Sequence, residues 1–180
     1  MIEQDNDQRL FLPSDHKILR LMLVRIVSGG QTGVDRGALD AAIDAGLSHG
    51  GWCPKGRRAE DGRIPAQYSL AETSSCRYTE RTARNVEDSD GTLVLASGPL
   101  SGGTKFTVEY ASRSGRPCMV VDLDGAVDAE AVALWIGRCG IGVLNVAGSR
   151  ESAKPGIADD ARFFVEKVID CDRRHTPEGS

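Results

Sequence analysis

The stretch that most constrains this chain is Ser28-Gly29-Gly30-Gln31-Thr32-Gly33-Val34-Asp35-Arg36, set between an apolar run and an alanine-rich one. Leu21 to Val27 is apolar except for Arg25, short and partly β-branched, which predicts a buried strand. Gly37 to Ala45 places Ala38, Ala41, Ala42 and Ala45 at helical spacing, the inner face of a helix. Strand, tight turn and helix start in succession leave backbone N–H groups facing whatever lies beyond the strand's carboxyl end. Glycine lets such a turn adopt positive φ and lets an anion reach its amides. The spacing Gly-Gly-x-x-Gly matches neither the dinucleotide fingerprint nor the P-loop.

Two readings of this turn stand side by side. It is either an anion cradle, with Gly29, Gly30, Gln31, Thr32, Gly33 and Arg36 around the ligand, or a structural turn. In the second case Thr32 is an N-cap and Asp35 completes a capping box. Asp35 restricts the first reading, because a carboxylate repels phosphate. Its expected partner is a hydroxyl, an amino group or a metal-bound water.

With 180 residues and 40% hydrophobic content, the chain is expected to form one globular domain. The formal net charge of −4 gives no overall field for nucleic acid or an anionic membrane. There is no apolar run long enough to span a bilayer, and the first twenty residues lack a signal-peptide pattern. The five cysteines are scattered without a C-x-x-C, which suits reduced thiols in the cytoplasm. The three histidines are far apart, so no directly coordinated metal is expected.

In chain order, residues 1–20 are a polar extension with a helix start at Pro13-Ser14-Asp15. A short strand is expected at Ser48 to Cys53, then an unpatterned stretch from Pro54 to Glu72 whose length suggests a ligand or a neighbour. Further strands are predicted at Ser75–Tyr78, Gly91–Ala96, Cys118–Leu123 and Ile141–Val146. Helices are predicted at Thr79–Asp88, Lys105–Ser114, 127–137 and Ala158–Asp170, the last with Phe163, Phe164 and Val168 inward. Residues 171–180 read as a loose tail. The alternation gives a single α/β, Rossmann-like domain over 21–170, a mostly parallel sheet with helices on both faces.

Ligands of such sheets sit beyond the strands' carboxyl ends, where strand order reverses. Three loops carry suitable chemistry there: Ser28 to Arg36, Ser97 to Thr104, and Ala147 to Ser152 with Arg150. The second repeats the first in kind, with Ser101, Gly102, Gly103 and Thr104 opening a helix. Lys55, Arg57, Arg58 and Arg63, beside Trp52 and Tyr68, make the long stretch a candidate lid, with Glu60-Asp61-Gly62 as its turn. A hydrogen bond to a charged group contributes roughly 1.5–3 kcal/mol, whereas association costs at least about 4 kcal/mol. Phosphate alone would be held weakly, so the expected ligand is a small phosphorylated heterocycle stacked near Trp52 or Tyr68. For chemistry, a ribose–base cleavage would use Glu109 beside the cationic sugar and Arg81 at phosphate or leaving group. Glu109 as an exposed helix carboxylate, and Arg81 as a surface partner of Glu80 or Glu87, are the bland alternatives.

Five ordered motifs carry a family resemblance. They are Ser28 to Arg36, Gly51 to Arg58 with Glu60-Asp61-Gly62, Asp88 to Thr92, Leu100 to Thr104, and Asn145 to Ser152 with Pro155-Gly156. Together, over about residues 24–168, they resemble the molybdenum cofactor carrier proteins. This is a Rossmann-like family related to the Lonely Guy phosphoribohydrolases, often misnamed lysine decarboxylases. The resemblance implies a cytoplasmic homo-oligomer that binds the molybdenum cofactor (molybdopterin), a pterin bearing a phosphate. The phosphoribohydrolase pattern fits in part: Glu80-Arg81-Thr82 matches its arginine segment. Aligning Gly102-Gly103 with its double glycine brings Glu109 onto the glutamate, but sets Lys105 and Phe106 where Gly and Thr belong. Aligning Gly103-Thr104 instead puts Thr107 there. A carrier, a nucleotide N-glycosidase and a nucleotide-sensing module are the resulting alternatives.

Overall fold

The structure, a computed structural model, describes residues 22–175 of the chain. The expected extension at 1–20 lies outside them, as do Leu21 and residues 176–180. Strand β1 (Arg25–Val27) runs through the glycine turn into helix α1 (Val34–Asp44). After it come β2 (Ser48–Gly50), β3 (Trp52–Cys53), β4 (Arg58–Ala59), β5 (Gly62–Arg63) and β6 (Ala71–Glu72). The remaining elements are α2 (Tyr78–Glu87), β7 (Gly91–Ala96), α3 (Gly102–Arg113), β8 (Cys118–Asp122), α4 (Ala129–Cys139), β9 (Val143–Gly148) and α5 (Ile157–His175).

Five strands form one parallel sheet in the order β2-β1-β9-β7-β8. Counted from β7, with β9 followed by β1, this is the 2-1-3-4-5 order of a doubly wound sheet. The chain is therefore that fold with its starting point moved, and strand order reverses between β7 and β9. Right-handed crossovers then place α2 and α3 on one face and α1, α4 and α5 on the other. Packing agrees: α5 lies against α1 and α4, and α2 lies against α3.

The two faces differ in chemistry. On one, Ile26, Leu93, Leu95, Leu144 and Val146 of the strands meet Val34, Ala38, Ile136, Phe164 and Val168 in a continuous apolar core. On the other face Asn145 is buried beside Thr92, its Nδ2–H donating to Thr92 Oγ1 at 3.2 Å. A smaller core of Leu39, Cys53, Ile64, Tyr68 and Leu70 joins the long stretch to α1.

Several local expectations are corrected. The strand expected over Ser48–Cys53 is split at Gly51 (φ 123°), and β3 pairs with β6 rather than with the main sheet. Ser75–Tyr78 is no strand; it bends into α2, which begins at Tyr78. The stretch from Pro54 to Glu72 is not structureless, since β4 and β5 form an antiparallel hairpin. Phe163 is 61% exposed, with Lys167 Nζ 4.1 Å from its ring centre, because Phe164 holds the inward position of that turn. The last helix does not end at Asp170. It continues to His175, burying Cys171 and Asp172, and Asp172 Oδ2 accepts the Leu23 amide at 2.9 Å. Arg173, Arg174 and His175 in its last turn suit the negative end of the helix dipole.

Candidate functional site

Where strand order reverses, a cavity of about 570 Å³ opens beyond the carboxyl ends of β7 and β9. All three glycine- or hydroxyl-bearing loops reach it, together with one side of α2. Of the residues singled out from the sequence, Gly29, Gln31, Asp35, Arg81, Ser101, Gly102, Gly103, Thr104 and Arg150 line this cavity. Gly30, Thr32, Gly33, Arg36, Lys55, Arg57 and Glu109 do not belong to its wall.

The first glycine turn is filled by the protein itself. The N-cap of α1 is Gly33 rather than Thr32, with φ 81° and no side-chain cap. A Cβ on Gly33 would lie 2.5 Å from the Ser149 carbonyl oxygen, so the turn meets the loop after β9 backbone to backbone. Val34 N–H donates to that same oxygen at 3.1 Å. Gly30 is covered by Ile64 and Leu70, and Gly29 by the Arg81 guanidinium, whose Nη1 would be 1.2 Å from a Cβ there. Arg81 Nη1 donates to Asp35 Oδ2 at 2.8 Å in a pair that is almost wholly buried. The same oxygen accepts the Gln31 amide at 3.2 Å, and Gln31 Oε1 accepts the Thr32 amide at 3.1 Å. Asp35 thus answers an arginine and a backbone amide rather than a hydroxyl or metal-bound water.

The second glycine turn is open. Ser101 is the N-cap of α3, and its hydroxyl makes no capping bond. As first-turn residues, Gly102 and Gly103 have amides with no acceptor inside the helix. Nothing lies within 4 Å of a Cβ built on either glycine. Thr104 Oγ1 donates to the Gly148 carbonyl at 3.2 Å, which ties this helix start to the end of β9. Arg150 stands at the mouth, its guanidinium 5.3 Å from the Tyr78 ring centre, while Arg81 is 5.8 Å from the same ring.

The long stretch is a fastened strap. Arg57, at φ 51°, gives its guanidinium to the carbonyls of Ile64, Pro65, Tyr68 and Leu70 at 2.9–3.2 Å, so it is a framework group. Tyr68 donates to Asp40 at 2.9 Å, and burial followed by that bond pushes its phenol up to about 12. Trp52 lines a separate cavity of about 250 Å³ and donates to Asp88 at 2.7 Å. The stacking rings expected from the sequence are therefore elsewhere, and Tyr78 and Phe106 are the aromatic residues of the main cavity.

Glu60 and Asp61 do more than turn the chain. Glu60 accepts from the Thr32 hydroxyl and from the Ser152 hydroxyl and amide. Asp61 takes both Arg36 Nη atoms at 2.6 and 2.7 Å. Partial burial raises the Glu60 carboxyl, but the Ser152 and Thr32 bonds outweigh it and hold the group below the usual range. Asp61 is likewise held low, first by its Arg36 bonds. The hairpin thereby clamps the first turn to the loop after β9.

Glu109 is 54% exposed on α3, its carboxylate 3.9 Å from Lys105 Nζ. Among the described residues lining the cavity, Asp35 is the one carboxylate. Sequence reasoning missed Tyr78, Phe106 and Asn145. For Asn145 a signal existed, a polar residue inside an otherwise apolar strand; for Tyr78 it was hidden by the misplaced strand. Among the described residues no helix is long and apolar enough to cross a membrane, and no cluster of ligating side chains could hold a metal ion.

The sequence model of the circularly permutated YpsA SLOG family matches residues 26–169. A solved structure from Syntrophus aciditrophicus SB, named a molybdenum carrier protein, is 42% identical, with 82% of this chain and 95% of that one covered at a TM-score of 0.76. No curated protein matches the chain.

Proposed function

The chain belongs to the circularly permutated YpsA SLOG family, and from that premise we propose a protein that binds and carries a small phosphorylated heterocycle, foremost the molybdenum cofactor. The observation that carries this reading is the open start of α3 facing a cavity of about 570 Å³. A helix N-terminus with free amides and a dipole favours an anion, and Arg150 adds a cation at the mouth. The volume lies within the ordinary range for small-molecule sites. Tyr78 and Phe106 offer faces for a flat ring. The relative named a molybdenum carrier supports the choice of cofactor; any molybdenum arrives inside the ligand.

On this reading the phosphate sits at Ser101 to Thr104 and not in the first glycine turn. Its amides at Gln31, Thr32 and Val34 are spent on Asp35, Gln31 Oε1 and the Ser149 carbonyl. Cytoplasmic residence and homo-oligomeric assembly belong to the same proposal; the five unpaired cysteines suit a reducing compartment. The N-glycosidase alternative keeps Arg81 in the cavity but leaves Glu109 outside its wall, so it lacks a free carboxylate.

Thermal melting with the purified cofactor tests the proposal. At a hundredfold excess over Kd a ligand stabilises by about 2.7 kcal/mol, a rise of roughly 5–10 °C for a chain of this length. No shift, with no small molecule released on denaturing the purified protein, contradicts it. Free base released from nucleoside monophosphates would establish the N-glycosidase in its place.

A further inference from the structure

Two aromatic residues line the main cavity, Tyr78 and Phe106, and they are not equivalent. The Tyr78 ring already carries two cations, Arg81 at 5.8 Å and Arg150 at 5.3 Å from its centre, both within reach of a cation–π attraction. Arg81 is not free to leave, because Asp35 holds its Nη1 at 2.8 Å in a pair that is almost wholly buried. Among the described residues no cation lies over the Phe106 ring. Its ring partner is Tyr110, 5.8 Å away between centres and tilted by 38°. Tyr110 is itself fixed: its hydroxyl donates to Glu87 of α2, and Arg113 lies 5.9 Å from its ring centre. Phe106 is thus a half-buried ring, braced within α3 and, through Tyr110, from α2. Its place along α3 adds a distance. Phe106 follows Gly103 by three residues, so it sits on the same face of the helix, about 4.5 Å further along the axis. Helical aromatic side chains lean toward the N-terminus, which in α3 is the end with the free amides.

We propose that Phe106, and not Tyr78, is the platform on which the ligand's ring stacks, so that α3 alone sets the spacing between phosphate and ring. This rests on the phosphorylated-heterocycle reading above and names the residue that takes the ring. A phosphate at Gly102 and Gly103 lies about one helical turn from a ring on Phe106. That spacing suits a heterocycle joined to its phosphate through one short linker, such as a single sugar. Stacking on an aromatic side chain accepts any flat ring with a π-face. The platform therefore adds affinity for the ring as a class, while Tyr78 keeps Arg81 and Arg150 in place at the mouth.

The test is calorimetric titration of the full chain with inosine 5′-monophosphate and with ribose 5-phosphate. Sugar and phosphate are the same in both, and the ring is the difference. The expected result is inosine monophosphate binding about tenfold more tightly or better. Phe106→Leu keeps apolar bulk but removes the ring face, and should shrink that ratio about tenfold while leaving ribose 5-phosphate unchanged. Tyr78→Leu should leave the ratio unchanged, since losing the Arg150 contact weakens both ligands alike. In the wild-type protein, nuclear Overhauser contacts from H2 and H8 of the bound base should reach the Phe106 ring, which decides the matter even if a variant fails to fold. Equal affinities for the two ligands, a ratio unchanged in folded Phe106→Leu, or base contacts to the Tyr78 ring instead overturn the inference and leave phosphate binding standing. Failure of both ligands to bind removes the phosphorylated-heterocycle reading and this inference with it.

Discussion

Two glycine turns leave the same edge of one sheet, each opening a helix, and their surroundings are opposite. At the first, every glycine is pressed by the protein: Gly29 by Arg81, Gly30 by Ile64 and Leu70, Gly33 by the backbone of Ser149 to Glu151. At the second, Gly102 and Gly103 face open space. The same residue type therefore answers two demands. In the first turn glycine permits backbone and side chain to close on one another, and in the second it keeps a helix start accessible. A glycine-rich turn is a statement about clearance; only its neighbours say who uses the clearance.

The largest expected effect breaks the closed turn. Gly33→Ala combines φ 81° with a Cβ 2.5 Å from a carbonyl oxygen and should cost roughly 4 kcal/mol or more, seen as a fall in Tm or loss of soluble protein. Wild-type stability would mean that the turn has room and that the contrast is false. Next, Arg81→Ala strands the buried Asp35 carboxylate. Removing one partner of such a pair costs about 3–5 kcal/mol, measurable by urea unfolding. The open turn behaves otherwise. Gly103→Ala should leave stability within about 0.5 kcal/mol yet weaken binding of the molybdenum cofactor about tenfold, since the new methyl enters the space proposed for its phosphate. A destabilised Gly103→Ala protein would show that the second turn is also packed.

The smallest effect concerns the clamp. Glu60 and Asp61 are both held below their ordinary values of 4.5 and 3.8. A depressed carboxyl binds fewer protons folded than unfolded, so its contribution is complete above those values and is lost as pH falls through the folded ones. Amide exchange in Arg58 to Arg63, corrected for intrinsic rate, should be slow at pH 6 and faster below about pH 3.8. Equal protection at both would remove the clamp from the account.

Much of the fold was legible because it is written locally. The apolar run Gly91–Ala96 is a strand with those bounds, and alternation of strand and helix sufficed for a doubly wound sheet. The convergence of three loops at one edge followed from the carboxyl-end rule. What was illegible depends on distant partners. The insertion of β9 between β1 and β7 is a long-range pairing that periodicity does not encode. The Arg81 that fills the first turn comes 46 residues after Asp35. Arg57 looked like a ligand cation because nothing in its sequence neighbourhood announces four carbonyls closing around it. His175 was placed in a tail because the last turn of α5 is polar, although Cys171 and Asp172 still face inward.

The proposed phosphate site lies at the start of α3 and not in the first glycine turn. Amide chemical-shift mapping with inosine 5′-monophosphate and with inosine isolates the phosphate by difference. The expected difference is confined to the amides of Gly102, Gly103 and Thr104. A difference centred on Gly29 to Thr32 would contradict it.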